Sequence, residues 1–423
     1  MTQILFILFL FLTLITIKKS KYLLTILPAL ITIFIIFSLV IFPKNTINAA
    51  IDGLNTWFYI VLPSLLPFFI SAEVLIGLGV VNFIGTLLSP IMKPIFNLPG
   101  EAAFPFAMSI TSGYPVGVKL TTKLRTQGVL TRIEAQRLIS FASTSGPLFM
   151  IGAVAVGMLK MPNLGLLIAI PHYLGAITVG LFFRYYGIKL DKPKVINNNK
   201  KNLIKTAFDE LILARKKDNR GIGLILGDAV KESFNTMLII GGFIILYSVI
   251  IEILNITGII NLLSSIISFI PFISNKELIK AFISGLIEMT VGCKNIASIS
   301  SVPILVKLVT INFIIAWSGI SIHSQASSFI SKTDLKISVY LLSKLLHGIF
   351  ASIYTVLISS IFIKLPIDTP VYASYAYTDT ASFEKWFDIF KFSTILQISI
   401  LSIIILISLI TSLSVIKRNK IFD

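Results

Sequence analysis

Apolar residues dominate this chain in long blocks, and the polar positions between the blocks divide it into membrane-sized pieces. A helix needs about 20 mostly apolar residues to cross a bilayer. Windows of that kind fall at roughly 22–42, 54–77, 138–158, 164–186, 234–254, 303–330, 336–363 and 391–416. A shorter run, Ile4 to Ile17, precedes them and carries Lys18, Lys19 and Lys21 behind it. A cleaved secretory signal has its positive charge ahead of the apolar core, so this run is expected to stay as a helix. Segments 80–96 and 258–273 are too short for an ordinary span and predict half-spans or interfacial helices. Segments 102–118 and 277–300 carry Gly, Ser, Thr or charge in mid-segment. They predict re-entrant hairpins, because irregular backbone at membrane depth survives only inside protein or beside a cavity. The expected fold class is therefore an all-α polytopic membrane protein.

Composition agrees. Of 423 residues, 55% are hydrophobic and 13% charged, with a mean hydropathy of +0.92. Soluble domains carry roughly twice that share of charge. The net charge of +17 sits in the connections rather than on one face, which argues for cytoplasmic retention of loops and against nucleic-acid binding. Lys18–Lys21, the group Lys123, Arg125, Arg132 and Arg137, the stretch 187–232 and the tail Lys417-Arg418-Asn419-Lys420 all fall in the cytosol in one topology. The acidic segment 365–390 then falls outside. Within 187–232, apolar residues recur every fourth position at Leu203, Ala207, Leu211 and at Ile204, Phe208, Ile212. An amphipathic surface helix and a solvated linker both fit that pattern.

The chain also repeats itself. Asn55-Thr56 recurs as Asn235-Thr236, 180 positions on, and Val116-Gly117-Val118-Lys119 recurs as Val291-Gly292-Cys293-Lys294, 175 positions on. In the charge-based topology the two copies run in opposite directions across the membrane. Paired interrupted segments in two inverted halves point to a transporter's binding site.

Candidate chemistry gathers at these interruptions. Ser112, Gly113, Tyr114, Gly117 and Lys119 lie in the first hairpin, where glycine admits close approach, proline ends the helix, and free N–H groups with a lysine suit an anion. Ser143, Ser145 and Gly146 precede Pro147 in a second break. In the second half, Thr290, Gly292, Lys294 and Asn295 form the matching hairpin, together with Glu288. Glu288 is a candidate for proton or ion coupling, since an intramembrane carboxylate is functional by default; a structural pair with Lys294 is the alternative. Trp317, Ser318, Gly319, His323 and Gln325 make the counterpart of the Ser-Gly-Pro break, with Trp317 available to stack on a planar ligand. Lys344 and His347 share a helix face, with no role assigned. Gly-x-x-x-x-Gly-Lys, His-Glu-x-x-His and Gly-x-Ser-x-Gly are absent, and three dispersed histidines with one cysteine make no zinc site. No enzyme activity, cofactor or metal is expected.

The runs Ser112-Gly113-Tyr114-Pro115-Val116-Gly117-Val118-Lys119-Leu120, Glu134-Ala135-Gln136-Arg137-Leu138, Ser145-Gly146-Pro147-Leu148-Phe149, Trp317 to Gln325, and Lys344-Leu345-Leu346-His347 resemble the YlbJ/SpoVV sporulation integral membrane proteins. The resemblance spans about residues 50–360. It implies two nucleoside-recognition Gate-like halves at 46–186 and 233–364. Around them lie two N-terminal helices in 1–45, a basic linker with an amphipathic helix at 187–232, an extracytosolic loop at 365–390, and a final helix and basic tail at 391–423. It further implies a multi-pass protein of the outer forespore membrane that moves dipicolinic acid from the mother cell. Val116 and Val118 stand where that family usually has smaller residues, and Ser324 where alanine is common. The expected partners are dipicolinate, membrane lipids and a coupling proton or sodium ion, with a homo-oligomer compatible with the pattern. A carrier of nucleosides or other small solutes, and a non-transport scaffold of the spore envelope, are the rival readings.

Overall fold

The computed structural model describes residues 23–188, 203–268 and 275–362. The first apolar run, the 365–390 loop and the last window at 391–416 lie outside these residues. Among the described residues the chain is helical throughout, with no strand.

Helix α1 (Leu23–Ile41) stops at Phe42, and the chain turns by 106° into α2 (Pro43–Thr56). Pro43 suits a first helical position, where its missing N–H has no partner to lose. After one π turn, Trp57–Val61, the chain continues as α3 (Leu62–Gly77) and turns at Gly79 into α4 (Val80–Phe96). The first hairpin is α5 (Ala103–Ser112) and α6 (Val116–Thr126). Helix α7 (Arg132–Phe141) opens with a capping box. Thr131 Oγ1 accepts from the Glu134 N–H at 3.2 Å, and the Thr131 N–H donates to Glu134 Oε2 at 2.7 Å. A non-helical stretch, 142–146, leads through a π-helical segment (Phe149–Met158) to α8 (Gly165–Phe183). The window at 138–158 is therefore a broken element rather than one span, because Pro147 and the small residues before it do not continue the helix.

In the linker the chain forms a helix, α9 (Leu203–Asp218), the first of the two readings that the four-residue recurrence leaves open. It lies against α4, burying Ala207 and setting the Phe208 ring 4.9 Å from that of Phe83. Helix α10 (Ile222–Ile256) has 35 residues, about 52 Å at the helical rise, well beyond a bilayer's hydrocarbon thickness. Next come α11 (Ile259–Ile267), the second hairpin α12 (Lys276–Ile287) and α13 (Met289–Ser298), and the broken pair α14 (Ile304–Trp317) and α15 (Gly319–Ile330). The last described helix is α16 (Ile337–Phe362), which packs against α8 and α14.

Four of these helices, or six if each bent pair counts as one, are long and apolar enough to cross a membrane among the described residues. Large apolar side chains cover the outside: Val40 is 74% exposed and Ile222 is 73% exposed. Such a surface fits a lipid surrounding. One apolar core surrounds the middle of the molecule (Met150, Met237, Ile311, Ile315), and a second packs Phe96, Leu130, Leu138, Phe141 and Tyr340 at one end.

Four hydrogen-bonded pairs join positions that lie 175 to 180 residues apart: Trp57 with Met237, Tyr114 with Met289, His172 with His347, and Thr178 with Tyr354. These separations match the spacing of the repeated sequence elements.

Candidate functional site

Two hairpin tips and two helix breaks meet at the centre. Helix α5 ends at Gly113, whose backbone (φ 77°, ψ −172°) is open only to glycine. A Cβ there would also come within 2.8 Å of the Gly146 nitrogen, so the first hairpin tip touches the first break backbone to backbone. Ser109 and Thr144 fasten the two together: the Thr144 N–H donates to Ser109 Oγ at 2.9 Å, and Thr144 Oγ1 donates to the Ser109 carbonyl at 2.8 Å. In the second hairpin, α12 breaks at Glu288 (φ −138°, ψ 115°). Gly292 lies so close to Gly285 that a Cβ would sit 2.2 Å from its Cα. The second break, at Ser318 and Gly319 (φ 75° and 76°), rests on this tip, with Trp317 Nε1 donating to the Leu286 carbonyl at 3.2 Å. Tyr114 Oη joins the halves, reaching Met289 Sδ at 2.8 Å and the Ile315 carbonyl at 3.1 Å.

These elements line a cavity of about 70 Å³. Its polar wall comes from Ser112, Gly113 and Tyr114, from Ser145 and Gly146, from Glu288 and Thr290, and from Ser321 and Gln325. Its apolar wall is Val61, Leu65 and Phe69 of the α2–α3 line and Ile240, Phe243 and Ile244 of α10. Both halves thus contribute a hairpin tip, a break and part of the apolar wall.

The polar groups of the first break are held from behind. Ser145 N–H donates to His172 Nε2 at 3.0 Å, the Tyr173 hydroxyl to the Ser145 carbonyl at 3.0 Å, and Lys344 Nζ to the Ser143 carbonyl at 2.6 Å. His172 Nε2 accepts, so its proton sits on Nδ1, which has no partner. His347 Nε2 donates to the His172 carbonyl at 2.8 Å and leaves Nδ1 facing Lys344.

The family model described as nucleoside recognition, Gate, matches residues 58–162, which contain the first hairpin and the first break. The sporulation integral membrane protein YlbJ of Bacillus subtilis is 39% identical over 340 residues, 79% of this chain and 82% of that protein. This chain belongs to the YlbJ family. An uncharacterized protein of Alkalihalophilus pseudofirmus is 32% identical over 158 residues, covering 36% of this chain and 32% of its own length. No solved structure matches the chain. Family membership and the apolar helices make it a multi-pass integral membrane protein of sporulation.

The residues singled out in the sequence divide into three groups. Ser112, Gly113, Tyr114, Ser145, Gly146, Glu288, Thr290 and Gln325 line the cavity. Gly117, Ser143, Gly292, Ser318 and Gly319 stand behind that wall as backbone packing, and Trp317 holds the Leu286 carbonyl against the expectation of ring stacking on a ligand. His323 is only 6% exposed, between the rings of Trp317 (4.4 Å) and Tyr340 (5.6 Å), and neither of its nitrogens has a partner. Three others lie elsewhere. Lys119 is exposed. Lys294 donates to Thr56 Oγ1 at 2.9 Å, and with Asn295 it lines a second cavity of about 350 Å³ beside Asn48, Asp52 and Glu252.

Two expectations are corrected by this geometry. The lysines of the Val-Gly-x-Lys elements do not converge on the central cavity. Nor does the second hairpin offer a bare helix N-terminus, because Glu288 Oε2 accepts the Val291 N–H at 2.7 Å and caps α13 with its own carboxylate. The Glu288–Lys294 pair is likewise not formed. Ser321, Phe69 and Phe243 line the cavity without having been singled out. Phe69 and Phe243 carried no signal, being apolar residues in apolar spans. Lys344 did carry one, as an ionisable residue in mid-span.

Proposed function

We propose that this protein is a carrier that moves a small solute through the central cavity, by rocking of one half against the other. One observation supports this most: both hairpin tips and both breaks converge on a single polar-walled space inside an apolar frame. Discontinuous segments of this kind surround the substrate in transporters built from inverted repeats, and the opposed directions that the loop charges assign to the two halves fit that plan. A cavity of about 70 Å³ is far below the 300–1,000 Å³ of ordinary ligand sites. A space this small does not hold an aromatic solute, which enters only when the hairpins part.

The substrate that agrees with the family's place in sporulation is dipicolinate, passed from the mother cell across the outer forespore membrane, with the C-terminus in the cytosol. Its flat ring suits a cavity that Tyr114 and Phe69 both line, and its carboxylates suit the hydroxyls of Ser112, Ser145 and Ser321. Glu288, the buried carboxylate of the cavity, is the group best placed to take a coupling proton or sodium ion. No bond-breaking chemistry is assigned to the site, and the protein acts on its solute as a carrier rather than an enzyme. A second reading, a nucleoside carrier, is favoured by the nucleoside-recognition description of the matching family model. Purified protein in proteoliposomes separates the two. Saturable uptake of labelled dipicolinate that excess uridine leaves untouched is expected. Uptake of uridine in preference to dipicolinate would replace the substrate, and uptake of neither by correctly inserted protein would end the carrier reading.

A further inference from the structure

Besides the Glu288 carboxylate in the cavity wall, a basic side chain stands just behind that wall, on α16. Lys344 is fully buried, with 0% of its surface exposed. Its ammonium donates to the Ser143 carbonyl at 2.6 Å, stands 3.4 Å from His347 Nδ1, and lies 5.5 Å from the centroid of the Tyr114 ring. The titratable groups about it are all of a kind that can be neutral: Tyr114 from the first hairpin, His172 from α8, Tyr340 and His347 from α16, and His323 from α15. No carboxylate pairs with it among the described residues. Glu288 is committed to the Val291 N–H.

A buried ammonium is costly unless a countercharge or a full set of acceptors compensates it. Here it has two neutral acceptors and an aromatic face. Tyr114 belongs both to the surroundings of Lys344 and to the cavity wall. Ser143, whose carbonyl the ammonium holds, lies two positions before the cavity-lining Ser145. Low dielectric and the absence of screening water extend the reach of the charge through this thin wall.

We infer that Lys344 is the residue that makes the central cavity select anions, a carboxylate solute against Tyr114 supplying the countercharge that the protein withholds. This rests on the carrier reading above, and it assigns to Lys344 the role that Lys119 and Lys294, lying away from the cavity, do not fill. Lys344 acts through Tyr114 and Ser143 without touching the solute, so it is a specificity-determining residue behind the wall.

Proteoliposome uptake of labelled dipicolinate tests this, with unlabelled dipicolinate, its uncharged diamide and uridine as competitors. Wild-type protein is expected to prefer dipicolinate to the diamide by at least tenfold. Lys344→Gln keeps a donor for the Ser143 carbonyl and removes the charge. It is expected to lose at least tenfold in dipicolinate affinity while competition by the diamide stays within about threefold, and Lys344→Arg is expected to restore the preference. Equal competition by the diamide and dipicolinate on wild-type protein overturns the inference without any variant having to fold. So does a Lys344→Gln protein that keeps its full preference, or one that loses dipicolinate and diamide binding alike. Those results leave the carrier reading standing. Wild-type liposomes that take up neither dipicolinate nor uridine overturn both.

Discussion

At the scale of single residues, the site keeps polar groups where the fold gives them nothing to do. His323 is the clearest. It is buried between Trp317 and Tyr340, and neither ring nitrogen has a hydrogen-bond partner. Leaving a buried polar group unsatisfied costs about 1–3 kcal/mol, whereas an apolar replacement of similar shape recovers most of it. His323→Phe keeps an aromatic ring between the same two neighbours, so the purified protein should gain about 1 kcal/mol and melt at a higher temperature. A lower melting temperature would mean that the nitrogens are satisfied after all. Glu288 shows the opposite economy. One carboxylate both lines the cavity and caps α13, so the helix terminus is complete before any solute arrives.

At the scale of elements, the breaks were legible and their directions were not. Gly113 with Pro115, Ser145-Gly146-Pro147, and Ser318-Gly319 each announce an interruption, because glycine and proline act on the backbone whatever surrounds them. The half-length segment α4 was legible for a similar reason, since length is a local property, whereas the four-residue period of the linker left a helix and a solvated segment both open until α9 decided it. Which side chain reaches the cavity depends instead on packing between helices that are distant in sequence. On α13, Thr290 lines the central cavity and Lys294 lies one turn later, about 6 Å along the axis. That rise is enough to carry its ammonium out to Thr56 and the second cavity. The shared Val-Gly-x-Lys pattern was thus a true guide to the hairpins and a poor guide to their lysines.

Loops between elements also tie the halves together at the end that the charge pattern assigns to the cytosol. Arg125 Nε and Nη2 meet the two oxygens of Asp334 at 2.9 and 2.8 Å, and the Gln136 side chain bonds both the N–H and the carbonyl of Lys336. The Arg125 hydrogen bond holds the Asp334 carboxyl below its ordinary value. A group depressed in the folded state stabilises it above the unfolded pKa of about 4, and that contribution is lost as pH falls through the folded value. Both side chains are partly exposed, at 28% and 45%, so the pair is worth no more than about 1 kcal/mol. A double-mutant cycle of Arg125→Ala and Asp334→Ala, read by thermal melting, should give about 0.5–1 kcal/mol of coupling at pH 7 in low salt. The coupling should vanish in 1 M salt, where the screening length is roughly 3 Å, and as the pH falls through the depressed folded value of Asp334. Coupling that survives both conditions would assign the contact to packing.

On the scale of the whole molecule, sealing is unequal on the two sides of the central cavity. Toward the Arg125–Asp334 end, the Phe96–Leu138–Tyr340 core and the two interhalf clasps fill the space. Toward the other side, α13 leads within one turn from Thr290 to the polar second cavity, with the Lys294–Thr56 bond between the helices there. In the proposed orientation this second cavity opens to the extracytosolic side, so that is the side from which the solute chamber is nearest to water. A single cysteine at Thr290, in a Cys293→Ala background, reports on this directly, because the native thiol is buried one turn away. A membrane-impermeant thiol reagent should label Thr290→Cys from the extracytosolic side and leave it untouched from the cytosol, and saturating dipicolinate should slow the labelling. Adding Asp334→Ala should leave the same cysteine protected from the cytosol, since the Gln136–Lys336 clasp and the apolar core remain. Equal labelling from both sides in the unmodified clasp would show that the Phe96–Tyr340 core is no seal, and that the halves do not alternate about it.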